Sequence, residues 1–109
     1  SQGLVTEKPK EDTIDGLKIK VRLLSKDDIK ERNLPKNTTG LVITEIDKDS
    51  PVNYLQVNNI IVEAQKKKIN TIGDLDNIVK LALKSNDKSL LIAIYNNNNQ
   101  RRYIGVKLN

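Results

Sequence analysis

The chain has 109 residues, room for one ordinary domain. Apolar residues make up 37% and charged residues 30%, a balance that builds a modest core and excludes collagen-like and plainly disordered chains. There is neither His nor Cys, so a Ser-His-Asp triad, a Cys-His dyad, His or thiolate metal sites and disulfides are excluded within the chain.

Carboxylates, Lys, Ser/Thr and Tyr are what remain for catalysis, and this argues against a stand-alone enzyme. No cofactor is implied. No apolar run approaches the ~18 residues of a membrane span. No positively charged start leads into an apolar stretch of the kind a signal peptide needs. The net charge of +5 could attract phosphate or anionic lipid, but Lys, Asn and Ile are all frequent, as AT-rich codon usage would also give. Phe, Trp and Met are absent, so Ile, Leu and Val must build the core.

Residues 1–15 (SQGLVTEKPKEDTID) are polar and charged, and read as a linker or arm ahead of a domain at 16–109. The first of them read as an expression scar or as a cut inside a longer protein. In GLKIKVRLLS, Leu17, Ile19, Val21 and Leu23 alternate with Lys18, Lys20 and Arg22, the period of a half-buried strand. Ser25 is placed as an N-cap, with Asp27 and Asp28 in the first turn of a short helix ending near Asn33. Pro35 and KNTTG make a loop, and GLVITEID is a second strand. After DKDSP the segment PVNYLQ is expected to form one or two helical turns.

IIVEA at 60–64 is a short strand, apolar at most positions as buried strands are. QKKKI is a turn followed by a very short strand. TIGDLDNIVKLALK is the strongest helix signal, with Thr71 and Asp74 spaced as a capping box. SLLIAIY and RRYIGVKL form a hairpin across NNNNQ. The order predicts an α+β fold: five to six short strands in a small sandwich or partly open barrel, with one long helix and one or two short ones.

These segments, taken in order, resemble a PDZ domain of the bacterial kind, and most of all the second, C-terminal PDZ domain of the Do-like (high-temperature-requirement, HtrA) serine proteases. GLVITEIDKDSP matches the family's strand ending in a Ser-Pro turn, IIVEAQKKKI its "VIVEVNG" strand, TIGDLDNIV its "S-x-x-D-L" helix, and residues 89–108 its closing hairpin. GLKIKVRLLSKDDIKERN matches its opening strand and helix, so the likeness runs from Gly16 to Leu108. Two departures stand out. Leu55-Gln56-Val57-Asn58-Asn59 is shorter than the family's Gly-rich stretch, and Gln65-Lys66 replaces an Asn-Gly turn.

The resemblance implies a groove in which an extended peptide adds to a sheet edge beside a helix. By position, Asp15-Gly16-Leu17-Lys18 is the loop whose N–H groups would cap a terminal carboxylate. Ile19, Lys20 and Val21 then lie on the strand that pairs with ligand. Leu17, Ile19 and Val79 would form the pocket for the last ligand residue. Ile72, Asp76 and Val79 would face the groove, with Leu75, Ile78 and Ala82 on the core side. Without the resemblance each of these is an ordinary strand or helix residue.

Tyr103-Ile104-Gly105-Val106 resembles the carboxylate-binding motif of some first PDZ domains, but with no strand and helix after it we read it as the closing strand. Lys66-Lys67-Lys68 and Arg101-Arg102 are basic, yet three Tyr and no Phe or Trp do not supply the stacking platforms of a nucleic-acid site. Asp74 and Asp76 lie on different sides of their helix and make no catalytic pair. Asp47 and Asp49 lack the ligand count of a calcium loop.

The resemblance therefore implies a non-catalytic module of a periplasmic serine endopeptidase whose catalytic domain is separate. Its implied ligands are hydrophobic C-termini or extended segments of misfolded envelope proteins. The alternative is an oligomer-assembly module that docks neighbouring PDZ or protease domains of the same homo-oligomer. A lesser alternative is a PDZ domain of another envelope protease or secretion component.

Overall fold

The computed structural model describes residues 10–109. The elements run β1 (Glu11–Ile14), β2 (Ile19–Leu23), α1 (Lys26–Glu31), β3 (Leu41–Ile46), β4 (Ile60–Ala64), β5 (Lys67–Lys68), α2 (Ile72–Lys84), β6 (Ser89–Tyr95) and β7 (Arg101–Lys107). The sheet order is β1-β2-β3-β4-β6-β7, with β5 attached to β4, and every pairing is antiparallel. The sheet has seven strands, one or two more than the sequence suggested, and it is not closed. The extra strand is β1, from the segment read as an arm. Ile14 is wholly buried, so the ordered body begins before Gly16. The rest of that segment, residues 1–9, lies outside the described residues.

Alternation along the strands sorts side chains into two cores. Ile61, Leu90, Ile92 and Ile94 join Ile14, Leu17, Ile19 and Val21 under α2, which contributes Leu75, Val79 and Ala82. Ile60, Val62 and Ala93 point the other way and pack with Val42 and Leu34, against Ile29 of α1. Strand β4 thus feeds both faces, which is why it reads as an almost unbroken apolar run.

Both helices start on complete capping boxes, Ser25 with Asp28 and Thr71 with Asp74. Segment 51–56 contains only turns, closed by bonds such as Leu55 N–H to the Val52 carbonyl at 2.9 Å, instead of the expected helical turns. Asn53 and the Ser-Pro start compete with helix through local side-chain bonds: Ser50 Oγ accepts from Val52 N–H at 3.0 Å and Asn53 Nδ2 donates to the Lys48 carbonyl.

The run of asparagines is architectural. Asn96 Oδ1 accepts from the Asn98 and Gln100 N–H groups, closing the hairpin tip. Arg32, at the end of α1, donates to Asn99 Oδ1 at 2.7 Å, to the Asn58 carbonyl at 2.6 Å and to the Asn96 carbonyl at 2.8 Å. One guanidinium thereby ties α1, the shortened 55–59 segment and the β6–β7 tip.

Gln65 and Lys66 both take positive φ, 52° and 66°, the backbone of a type I′ hairpin turn that favours Asn-Gly. The Gln65 amide compensates by bracketing β6, accepting from Leu91 N–H at 3.0 Å and donating to the Ser89 carbonyl. Lys66 has no such bond among the described residues. Lys66→Gly should raise stability by roughly 0.5–1 kcal/mol, the left-handed penalty less glycine's extra unfolded entropy, read as a higher denaturant midpoint at unchanged slope.

Arg22 of β2 grips Asp28 through two bonds, 2.7 and 2.9 Å. The hydrogen bond from Arg22, followed by bonds from Ser25, holds the Asp28 carboxyl down to about 2. A folded-state pKa below the unfolded one gives stability that is present above pH ~4, the unfolded value, and is lost as pH falls toward the folded value. Denaturation followed from pH 5 to pH 2 should show this loss, and Asp28→Asn should flatten that part of the profile.

Candidate functional site

The family likeness directs attention to the space between β2 and α2. The turn joining β1 to β2 is Asp15-Gly16-Leu17-Lys18. Within it the Ile14 carbonyl accepts from Leu17 N–H at 3.0 Å, and the Asp15 carbonyl accepts from Lys18 N–H at 3.2 Å. Lys18 sits at φ 51°.

The turn is clamped from behind. Ser50 Oγ, buried in the Ser-Pro turn after β3, donates to the Leu17 carbonyl at 2.5 Å, and Asp47 N–H donates to the Lys18 carbonyl at 3.0 Å. Gly16 lies directly on α2. A Cβ placed there would come within 2.4 Å of Val79 Cγ1 and 2.9 Å of Leu83 Cδ1, so the glycine serves close approach and not an unusual φ.

The expected site residues fall into three groups. Leu17, Ile19, Val21 and Val79 are buried in one core cluster that also contains Ile14. Ile72 is partly buried against the same cluster. The charged members are partnered or faced by carboxylates. Asp76 pairs with Lys80 at 2.8 Å, a bond that raises the Lys80 pKa, with a smaller contribution from Asp15. Lys20 pairs with Glu45 at 3.6 Å, and with Lys18 it lines a shallow depression shared with Asp15, Glu45 and Asp47. Those carboxylates offset the positive charge of the two lysines in that depression.

On α2, Val79 is wholly buried in the core and lies against Gly16 of the turn. Ile78, expected on the core side, is only partly buried.

The edge itself departs most from expectation. Strand β2 pairs with β3 on one side and with β1 on the other, through Glu11–Arg22, Asp12–Val21, Thr13–Lys20 and Ile14–Ile19. No edge of β2 is free for an incoming strand. Three residues escaped the sequence reading: Ile14, Ser50 and Leu83. For Ile14 the signal was weak, since Asp15-Gly16 marks a turn but the Ile14–Ile19 pairing leaves four residues between the strands and not the two of an Asp-Gly hairpin. Ser50 and Leu83 had none, because their roles depend on which loop lands on them.

The other expected features resolve simply. Tyr103-Ile104-Gly105-Val106 lies in β7, the far edge of the sheet, and a Cβ on Gly105 would meet nothing within 4 Å. The glycine therefore does not serve close packing there. Arg101 is held by Glu63 at 2.8 Å and lies over the rings of Tyr95 and Tyr103, so its charge is largely used inside the fold. Among the described residues there is no cluster of acids able to hold a metal, and no helix is long and apolar enough to cross a membrane.

Two substitutions test the clamp. Gly16→Val should cost about 1–3 kcal/mol, the range for overpacking. Ser50→Ala should cost a similar ~1–3 kcal/mol, because the buried Leu17 carbonyl loses its side-chain donor. Chemical denaturation measures both, and amide shifts confined to 15–18 and α2 would locate the change.

No family model matches the sequence, and no curated protein matches it. Among solved structures, the HtrA-type protease AlgW with decapeptide matches with a TM-score of 0.64 at 18% identity, over 84% of this chain and 28% of that one. A single-substitution variant of AlgW, also with decapeptide, matches with a TM-score of 0.68 at 14% identity, over 95% of this chain and 30% of that one. The chain therefore has a PDZ-like α+β fold found within HtrA-type proteases, and it spans under a third of the length of the proteins it matches.

Proposed function

We propose that this chain is a non-catalytic protein-docking module of an HtrA-type serine endopeptidase of the bacterial envelope, and that it acts in assembly, against neighbouring PDZ or protease domains of the same homo-oligomer. The lack of His and Cys leaves hydrolysis to a separate catalytic domain. One observation favours assembly over capture of free C-termini: β2 already has a partner on both edges, and strand addition needs an open edge.

Capture of hydrophobic C-termini or extended segments of misfolded envelope proteins is the second reading. It is favoured by the likeness to two structures that hold a decapeptide. The residues it would use are Asp15 to Val21 with Ile72, Asp76 and Val79.

A backbone NMR titration of the intact domain separates the two. Short peptides ending in apolar residues, each paired with its C-terminal amide, should leave residues 15–22 and 72–79 unshifted at millimolar peptide. Carboxylate-dependent shifts there would put capture ahead. In the parent protease, deleting the module should change oligomer mass by light scattering while cleavage of a short reporter peptide persists. An unchanged mass would sink the assembly role.

A further inference from the structure

The segment preceding β2 is seated the way an added peptide would be. β1 runs antiparallel to β2, beside α2, with its C-terminal end at the Asp15–Lys18 turn. Its last residue, Ile14, is wholly buried in the core cluster that also holds Leu17, Ile19 and Val79, while Glu11, Asp12 and Thr13 are exposed. The Ile14 carbonyl accepts the Leu17 N–H at 3.0 Å, the bond a terminal carboxylate oxygen would take. One apolar anchor at the chain's end, a carbonyl held by the turn and a polar remainder in solvent together make the pattern of a C-terminal ligand. Here the chain continues through Asp15 instead of ending.

We propose that β1 is an intramolecular ligand, and that the groove beneath it takes a free peptide ending in Ile or a similar apolar residue once β1 leaves β2. This deepens the reading above and rests on it: the module docks proteins, and β1 decides whether the β2–α2 groove takes part. Displacement is within reach because β1 is four residues long with a single buried side chain. An incoming strand would replace the same ladder bonds and the same anchor. The ligand class follows from the stand-in: a β-branched apolar last residue preceded by polar, partly acidic residues.

The test uses a peptide with the sequence of residues 8–14, ending in the free carboxylate of Ile14, and its C-terminal amide. Three forms of the domain are compared with the intact one. The first lacks residues 1–14. The second carries Ile14→Ser, which keeps β1 but removes its anchor. The third carries Thr13→Cys with Lys20→Cys, register partners across β1 and β2, in a chain with no other cysteine. Oxidation locks β1 in place and reduction frees it.

The truncated and Ile14→Ser forms should bind the peptide at least tenfold more tightly than the intact domain, with shifts at 15–22 and 72–79. The amide should bind at least tenfold more weakly, and the oxidised pair should show no shifts. If the truncated form is unfolded, the carboxylate peptide should refold it in trans and restore the β6–β7 amide dispersion.

Folded variants that bind no peptide at millimolar concentration would overturn the proposal, as would failure of the peptide to refold the truncated form. Equal binding by oxidised and reduced forms would also overturn it. These results leave the oligomer measurement untouched. Conversely, an unchanged oligomer mass with carboxylate-dependent binding by the opened forms removes the assembly role and keeps β1 as a cis ligand.

Discussion

The rest of the groove depends on one close approach: Gly16 resting on Val79 and Leu83 of α2, with no room for a Cβ. That contact fixes where the turn between β1 and β2 sits, and so where both strands run relative to the helix. Ser50 and Asp47 hold the turn from the opposite side through the Leu17 and Lys18 carbonyls. A four-residue turn is thus gripped by a helix in front and by a Ser-Pro loop behind. With the turn fixed, Ile14 is buried in the main core and β1 has one register. A strand buried on one face tolerates no slip, because a shift by one residue would send Ile14 to solvent and Thr13 inward.

An exposed sheet edge invites pairing with other chains, and proteins cover or blunt such edges. In this fold the covered edge is also the one that a PDZ-like domain would offer to a peptide. On the proposed reading of β1 as a cis ligand, cover and an incoming peptide would compete for the same row of N–H and carbonyl groups. The exposed polar residues of β1 then become the outermost face of the sheet on that side, while β7, with Arg101, Tyr103 and Lys107, forms the opposite edge. The two edges differ in charge: β1 carries Glu11 and Asp12, whereas β7 begins with Arg101 and Arg102.

Much of the rest is a division of labour between capping and bridging. The carboxylate of Asp28 accepts from Arg22 and Ser25 together, joining a strand to the helix that follows it. Arg32 does the same over a longer range, from the end of α1 to the hairpin tip and the shortened 55–59 segment. These polar nodes sit around the second, smaller core, where few aliphatic side chains are available.

The sequence alone determined what is local. Strand periods placed β2, β3, β4, β6 and β7, and Ser25 and Thr71 marked both helix starts, because these signals depend on neighbours one to four residues away. The order of the elements was enough to suggest a PDZ-like fold, and the missing His and Cys removed whole classes of chemistry. The tertiary structure decided whether the groove is open. Residues 10–15 look like a solvated arm because a four-residue strand with one apolar side chain has almost no signal of its own. It becomes a strand only when β2 offers an unpaired edge and α2 offers a pocket, and both arrive from distant parts of the chain. Likewise Val79 could be assigned to groove or core from its helical position, and only the meeting of helix and turn buried it against Gly16.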